Sequence, residues 1–396
     1  MTDERSRLGL LLMSFLGFMM IGVAATLIGP AFPPIMKEFN IPLGVLGFLA
    51  SAWNMGYLLA VIGGIVSDHY GETFVLSISF LVVGIALGFV SIVPNYQTLS
   101  GLFLLAGIGA AFAETSINVV VSRLYPNRTG SALNVVHVFY SVGAFIGPAL
   151  AGLLIESYRN WKLPYLVTCI GFAPLTAFAA IRTIRGRNHT CSASSRATST
   201  HNADTGLLRV LLRGHALMLA GFFYLGAEWG TNAWLASFLI LERGFSIALA
   251  GLSTSLFWAL MAVGRLSLGR LVDRLGYRKM MLCCSSVGAL SILAATLVEG
   301  RYMTVALWAF SGFIFGPMMP TIFAWTSTLF PSRRGFASGA VYSAASLGAV
   351  LSPWIIGALA DLYSLTISAF YLVFSTLAIG LSVLLFRGED RHLNPL

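Results

Sequence analysis

Two carboxylates in this sequence stand where charge is costly. Glu114, in LLAGIGAAFAETSINVVV, and Glu228, in FFYLGAEWGTNAWLAS, fall well inside long apolar runs. An ionisable side chain in hydrocarbon is unfavourable unless it meets a partner or a wet cavity, so each is a candidate functional group. Each is followed one helical turn later by an asparagine, Asn118 and Asn232, on the same face. Asn134, His137 and Tyr140 form a second polar cluster, with Ser141 close behind. The chemistry that fits is proton exchange. A carboxyl group withdrawn from water holds its proton more tightly and releases it when its site hydrates. A structural acid, permanently protonated or hydrogen-bonded, is the alternative reading. Trp229 and Trp234 flank Glu228. Flat indole faces suit the C–H faces of a sugar ring, although membrane tryptophans also serve as interfacial anchors.

The elements that must position these groups are membrane helices. The chain has 396 residues, 57% of them hydrophobic and only 10% charged, with a mean hydropathy of +0.83. That composition lies outside the soluble globular range. Twelve apolar stretches can each cross about 30 Å of hydrocarbon. Spans 1 to 6 are expected near Leu8–Ile35, Leu43–Val66, Thr73–Val93, Leu99–Ser122, Ala132–Ile155 and Leu163–Ile181. Spans 7 to 12 are expected near His215–Leu241, Ala248–Leu271, Met280–Val298, Thr304–Leu329, Ala337–Ala360 and Thr366–Phe386. At 1.5 Å per residue, Glu228 lies close to the midplane and Glu114 about 6 Å toward the side of the termini.

The net charge of +9 could suggest nucleic acid, but the basic residues are distributed by side. With both termini cytoplasmic, five basic residues (Lys37, Arg159, Lys162, Arg243 and Arg301) face outward. The others, Arg265 among them, count as cytoplasmic. That asymmetry is the positive-inside pattern of a plasma-membrane protein, and a bacterial inner membrane is expected. The first apolar run is too long for a cleaved signal and reads as a retained helix. Three of the four cysteines lie in expected spans, so no disulfide framework is implied. The sequence contains no nucleotide loop, metal-ligand cluster or catalytic triad, so neither a cofactor nor an enzymatic activity is expected.

An internal repeat runs through the chain at an offset of 205 residues, which takes Gly64, Asp68 and Gly71 to Gly269, Asp273 and Gly276. The same offset takes Trp53 to Trp258 and Gly143 to Gly348. Six spans per copy give both halves the same orientation in the membrane, a transporter design with its site at the interface of the halves. Three segments follow: a bundle over 1–181, a cytoplasmic linker over 182–214 and a second bundle over 215–396. The middle of the linker is rich in Ser, Thr and Ala, a disorder-prone composition. Its last residues, GLLRVLLRG, have the pattern of a short amphipathic helix.

Gly269-Arg-Leu-Val-Asp273-Arg274-Leu-Gly276-Tyr-Arg278-Lys resembles the signature loop of the major facilitator superfamily, and Gly64 to Glu72 is a weaker first copy. Within that family, Glu114 to Asn118, Leu133-Asn134, Phe139 to Ala144 and Tyr224 to Leu235 resemble the fucose-permease branch of sugar–proton symporters. The resemblance implies a proton-coupled symporter for a small polar solute, acting as a monomer. It implies proton coupling by Glu114 and Glu228, and solute contact by Asn118, Asn134, His137, Tyr140, Trp229, Asn232 and Trp234. Gating would fall to Gly64, Asp68, Gly71, Gly269, Asp273, Arg274, Gly276 and Arg278, whose glycines allow close helix approach. Span 1 lacks the acid that the fucose permease carries there, and the span 4 arginine of drug exporters is absent. The Gly143-to-Pro148 stretch resembles an antiporter motif, so proton-coupled export of a drug-like or metabolic compound is the alternative. A receptor or lipid scramblase on the same fold is a third.

Overall fold

The computed structural model describes residues 2–125, 129–186, 204–331 and 334–386. The described residues form helices, with no strand among them. The fold is an all-α membrane protein of twelve spans in two parallel six-span halves. The first half comprises Thr2–Phe39, Leu43–Tyr70, Glu72–Ile92, Tyr96–Leu124, Thr129–Tyr158 and Leu163–Gly186. The second comprises Asp204–Leu241, Ile247–Leu275, Tyr277–Leu297, Arg301–Leu329, Arg334–Leu362 and Leu365–Leu385. Eleven of these are long and apolar enough to cross a bilayer. Span 7 is longer, at 38 residues, but Glu-Trp-Gly-Thr-Asn at 228–232 interrupts its apolar sequence. The repeated leucines, isoleucines and phenylalanines left exposed on the outer surface, such as Ile65, Leu153, Ile170, Leu290 and Phe374, suit hydrocarbon rather than water.

Residues 187–203 of the expected linker lie outside the described residues, as do Arg128 and Arg333. GLLRVLLRG at 206–214 makes no separate surface helix, because one unbroken helix starts at Asp204 and becomes span 7.

Span 2 is interrupted by a 3-10 turn at Tyr57–Leu59 without a proline, but two other breaks fall where proline removes backbone donors. Span 1 breaks between Thr26 and Ile28, because Pro30 has no N–H for the Thr26 carbonyl. Span 10 breaks after Phe315, where Pro317 and Pro320 remove two donors in one turn. Pro148, by contrast, is carried inside the continuous helix of span 5.

The repeat governs packing as well as sequence. A Cβ on Gly143 would overlap the Met19 backbone of span 1, and one on Gly348 would overlap the Phe222 backbone of span 7. Gly107 and Gly312 likewise lie against the backbones of Trp53 and Phe257. These close approaches bind each half internally through small residues.

The halves meet at the face opposite the chain termini. There Asp361, ending span 11, accepts from the Leu43 and Gly44 amides at the start of span 2, both at 2.7 Å. At the repeat-equivalent place Glu156, ending span 5, accepts from the Ala248 amide at the start of span 8, also at 2.7 Å. Each carboxylate of one half thus caps a helix N-terminus of the other, where orphan N–H groups and the helix dipole favour an anion. Deeper in, Ser51 Oγ donates to Val350 O at 2.5 Å and Ala149 N donates to Ser255 Oγ at 2.9 Å. Gly47 lies on the Pro353 backbone and Gly251 on that of Pro148. This ladder closes the opposite face.

Candidate functional site

Below the ladder the halves part around a cavity of about 840 Å³, toward the large end of the range for small-molecule sites. Its lining runs from Asn54 and Trp229 at mid-depth to Val272, Tyr277 and Ser327 near the terminal face. The first half supplies Asn54 and Tyr57 from span 2, Glu114 from span 4, and Leu133, His137 and Tyr140 from span 5. The second supplies Glu228 and Trp229 from span 7, Arg265 from span 8, Met319 and Phe323 from span 10, and Tyr342 from span 11. Glu114, His137, Tyr140, Arg265 and Tyr342 are all partly exposed at mid-bundle. The cavity is therefore reachable by solvent.

Both expected acids face this space, from different halves. Glu114 sits beside the hydroxyls of Tyr57 and Tyr342, one from each half. Glu228 is buried, at 5% exposure, beside Tyr224 one turn earlier and within electrostatic reach of Arg265. Glu228 Oε2, Tyr224 Oη and Arg265 Nε are buried without a hydrogen-bond partner. Leaving such groups unsatisfied costs about 1–3 kcal/mol each, which a bound molecule or water would recover.

Arg265 corrects the sequence reading, which counted it among cytoplasmic charges. It lies in the middle of the Ile247–Leu275 helix and lines the cavity. Its Nη1 donates to Ser141 Oγ of the other half at 3.1 Å, and its Nη2 reaches the Met261 sulfur at 3.3 Å. Among the described residues, no carboxylate oxygen lies within 4 Å of it. The helix runs one turn beyond the expected end of span 8, which moves the arginine from the interface to the interior.

The other expected contacts divide. His137, Tyr140 and Trp229 line the cavity, with Phe18 edge-on to His137 at 4.9 Å. Three lie outside its lining. Asn118 is wedged between helices with a buried, unpartnered Oδ1. Asn232 shares the Glu228 face but sits a turn further toward the closed ladder, accepting from Trp258 Nε1 at 3.1 Å and donating to Ala25 O at 3.4 Å. Trp234 donates to Pro353 O at 2.8 Å and packs on Phe32, within the closed opposite face. A same-face spacing fixed the direction of the two asparagines but not the depth at which the cavity ends. The side chains of Asn134, Asp68 and Asp273 lie outside the described ones.

The signature loops also differ from expectation. Gly71 and Gly276 hold φ of 88° and 81° at the turns after spans 2 and 8, a conformation that favours glycine. Gly64 and Gly269, expected to allow close helix approach, do not: Gly64 has ordinary contact with Thr115, and Gly269 faces open space in the cavity wall. Arg274 is exposed, and Arg278 reaches only Leu384 O, at 3.5 Å, within its own half.

Tyr57, Tyr224, Arg265 and Tyr342 are the site residues that sequence reasoning missed. The repeat held one signal, since the offset takes His137 to Tyr342 and Glu114 to Met319, and all four line the cavity. The positions recur while the chemistry does not.

The Major Facilitator Superfamily family model matches residues 14–266 and 217–395 of this chain. The chain belongs to the Major Facilitator Superfamily. It is 22% identical over 371 residues to Multidrug resistance protein 2 of Bacillus subtilis, covering 91% of this chain and 90% of that one. It is 24% identical over 380 residues to the Sodium-dependent glucose transporter 1 of Xenopus laevis, covering 86% and 74%. Its fold is similar to the crystal structure of a bacterial homolog of the human lysosomal transporter Spinster, with a TM-score of 0.78 at 16% identity over 98% of this chain and 99% of that one. Family and fold are those of membrane transporters with small-molecule substrates.

Proposed function

We propose that this facilitator-superfamily chain works by alternating access and carries a small polar solute, such as a sugar, together with protons. The observation that carries this reading is that Glu114 and Glu228, from different halves, border one solvent-reached cavity. An acid that loads a proton from one side and releases it to the other needs its water access to alternate. Rocking the halves about the opposite-face ladder would supply that alternation. Glu114 stands between Tyr57 of one half and Tyr342 of the other, so the same rocking would change its hydrogen bonds and its hold on a proton. Trp229 and the tyrosines offer flat faces to the solute body, with His137 on the far wall.

In this reading both termini are cytoplasmic, in a bacterial inner membrane, and the cavity opens inward. The chain acts as a monomer of two bundles, 1–181 and 215–396, joined by the 182–214 linker. The Gly71 and Gly276 turns flex as the cytoplasmic side closes, with Asp68 and Asp273 latching it. The test is uptake of labelled monosaccharides and sugar acids into vesicles of purified protein under an imposed pH gradient, acid outside. Uphill accumulation that a protonophore abolishes is expected. Accumulation indifferent to the gradient rejects proton coupling. Proton-driven expulsion of a lipophilic compound supports the export reading, which the similarity to a multidrug resistance protein keeps open.

A further inference from the structure

Resting on the reading of the central cavity as a solute site, we infer that the solute carries a carboxylate, and that the Arg265 guanidinium receives it. Arg265 is the one permanently charged cation lining the cavity among the described residues. A guanidinium out of water needs a counter-ion or a full set of acceptors. It closes on no ion pair and has no full set: Nη1 meets one serine hydroxyl and Nη2 one thioether, the Tyr224 hydroxyl and the Glu228 carboxyl stand near it, and Nε has no acceptor.

The nearest acid does not supply the want. Glu228 stays beyond ion-pair distance and leaves its own Oε2 unpartnered. A permanent structural pair would have closed on itself; these two groups face the same space with unused polar atoms. The fork of a guanidinium matches a carboxylate through two parallel hydrogen bonds, Nε and one Nη. A neutral sugar has hydroxyls for Glu228 but nothing that neutralises Arg265. A phosphate dianion would need a second cation, and among the described residues the remaining charged side chains of the lining are Glu114 and Glu228. With Glu114 and Glu228 carrying their protons, the charge balance fits a single carboxylate on Arg265. The solute's body then lies against Trp229 and Tyr140, and its polar groups meet Glu228.

The experiment is a binding titration on the purified full chain with two matched pairs, glucuronate against glucose and benzoate against benzamide. Within at least one pair the acid is expected to bind tenfold or more tighter than its neutral partner. Arg265→Gln should reduce that ratio to near one, and Arg265→Lys should restore part of it. Because the arginine lacks a structural counter-ion, Arg265→Gln should leave the ligand-free melting temperature unchanged or raised. That result also shows that a lost preference is not misfolding. Equal binding of acid and neutral partner overturns the inference, as does an acid preference that survives Arg265→Gln. Proton-coupled uptake of glucose with no role for Arg265 overturns it while leaving the symport reading intact. Binding of lipophilic cations and of none of the four probes overturns both.

Discussion

The two carboxylate caps at the opposite face should set how tightly the molecule stays closed there. Asp361 holds two amides of span 2 and Glu156 one amide of span 8, all at 2.7 Å. An N-cap bond contributes about 1 kcal/mol, and Asp361 is exposed, so the low end of the range applies. At about 0.5 kcal/mol each, the three bonds together hold closure by about 1.5 kcal/mol, roughly tenfold in the open-to-closed ratio. Asp361→Asn with Glu156→Gln keeps the shapes and removes the charges. The amides of Leu43, Gly44 and Ala248 report directly, because each must leave its acceptor to exchange. Hydrogen–deuterium exchange should speed up at the peptides covering Leu43–Leu49 and Ala248–Leu252, by up to about tenfold, with little change in spans 3 and 9. Unchanged exchange at both places, or faster exchange spread evenly over the chain, would refute the reasoning: either the caps do not hold the face or the variant is loosened generally.

Three further outcomes follow from the same geometry. Glu114→Gln should abolish proton-driven accumulation while retaining solute exchange, measured as counterflow in vesicles; full uphill uptake in that variant removes Glu114 as a coupling group. Gly143→Val and Gly348→Val each push a side chain into a backbone, costing about 1–3 kcal/mol by overpacking, and should lower the melting temperature in detergent by several degrees. Pro317→Ala returns a donor to the broken turn of span 10 and should raise thermal stability while slowing transport, read by the same melting and uptake measurements.

Much of this architecture was legible in the sequence, for physical reasons. A span needs about 20 apolar residues, so the spans announced themselves, and the fixed offset of 205 exposed the two halves. Glu114 and Glu228 stood out because a buried acid is conspicuous against leucine and alanine. Arg265 did not stand out. An arginine six residues from the expected end of span 8 reads as an interface charge, and only the extra helical turn to Leu275 places it inside. The tyrosines around the two acids were hidden for another reason. Tyrosine is common in membrane helices, and its role here depends on neighbours from other spans. Asn118 and Asn232 were expected at the cavity from same-face spacing, but periodicity carries no information on where the halves close. The alignment of Glu156 with Asp361 under the repeat was available in the sequence, yet its meaning needed the N-termini of spans 2 and 8 to be seen beneath them.

In the proposed mechanism, solute entry and proton entry are one event at the cavity acids. A pH electrode in a lightly buffered suspension of vesicles tests it most directly, with solute added in the absence of any imposed gradient. External alkalinisation is expected on adding the solute, abolished in the Glu114→Gln variant although that variant still binds solute. Solute entry with no pH change, or with acidification outside, would contradict it.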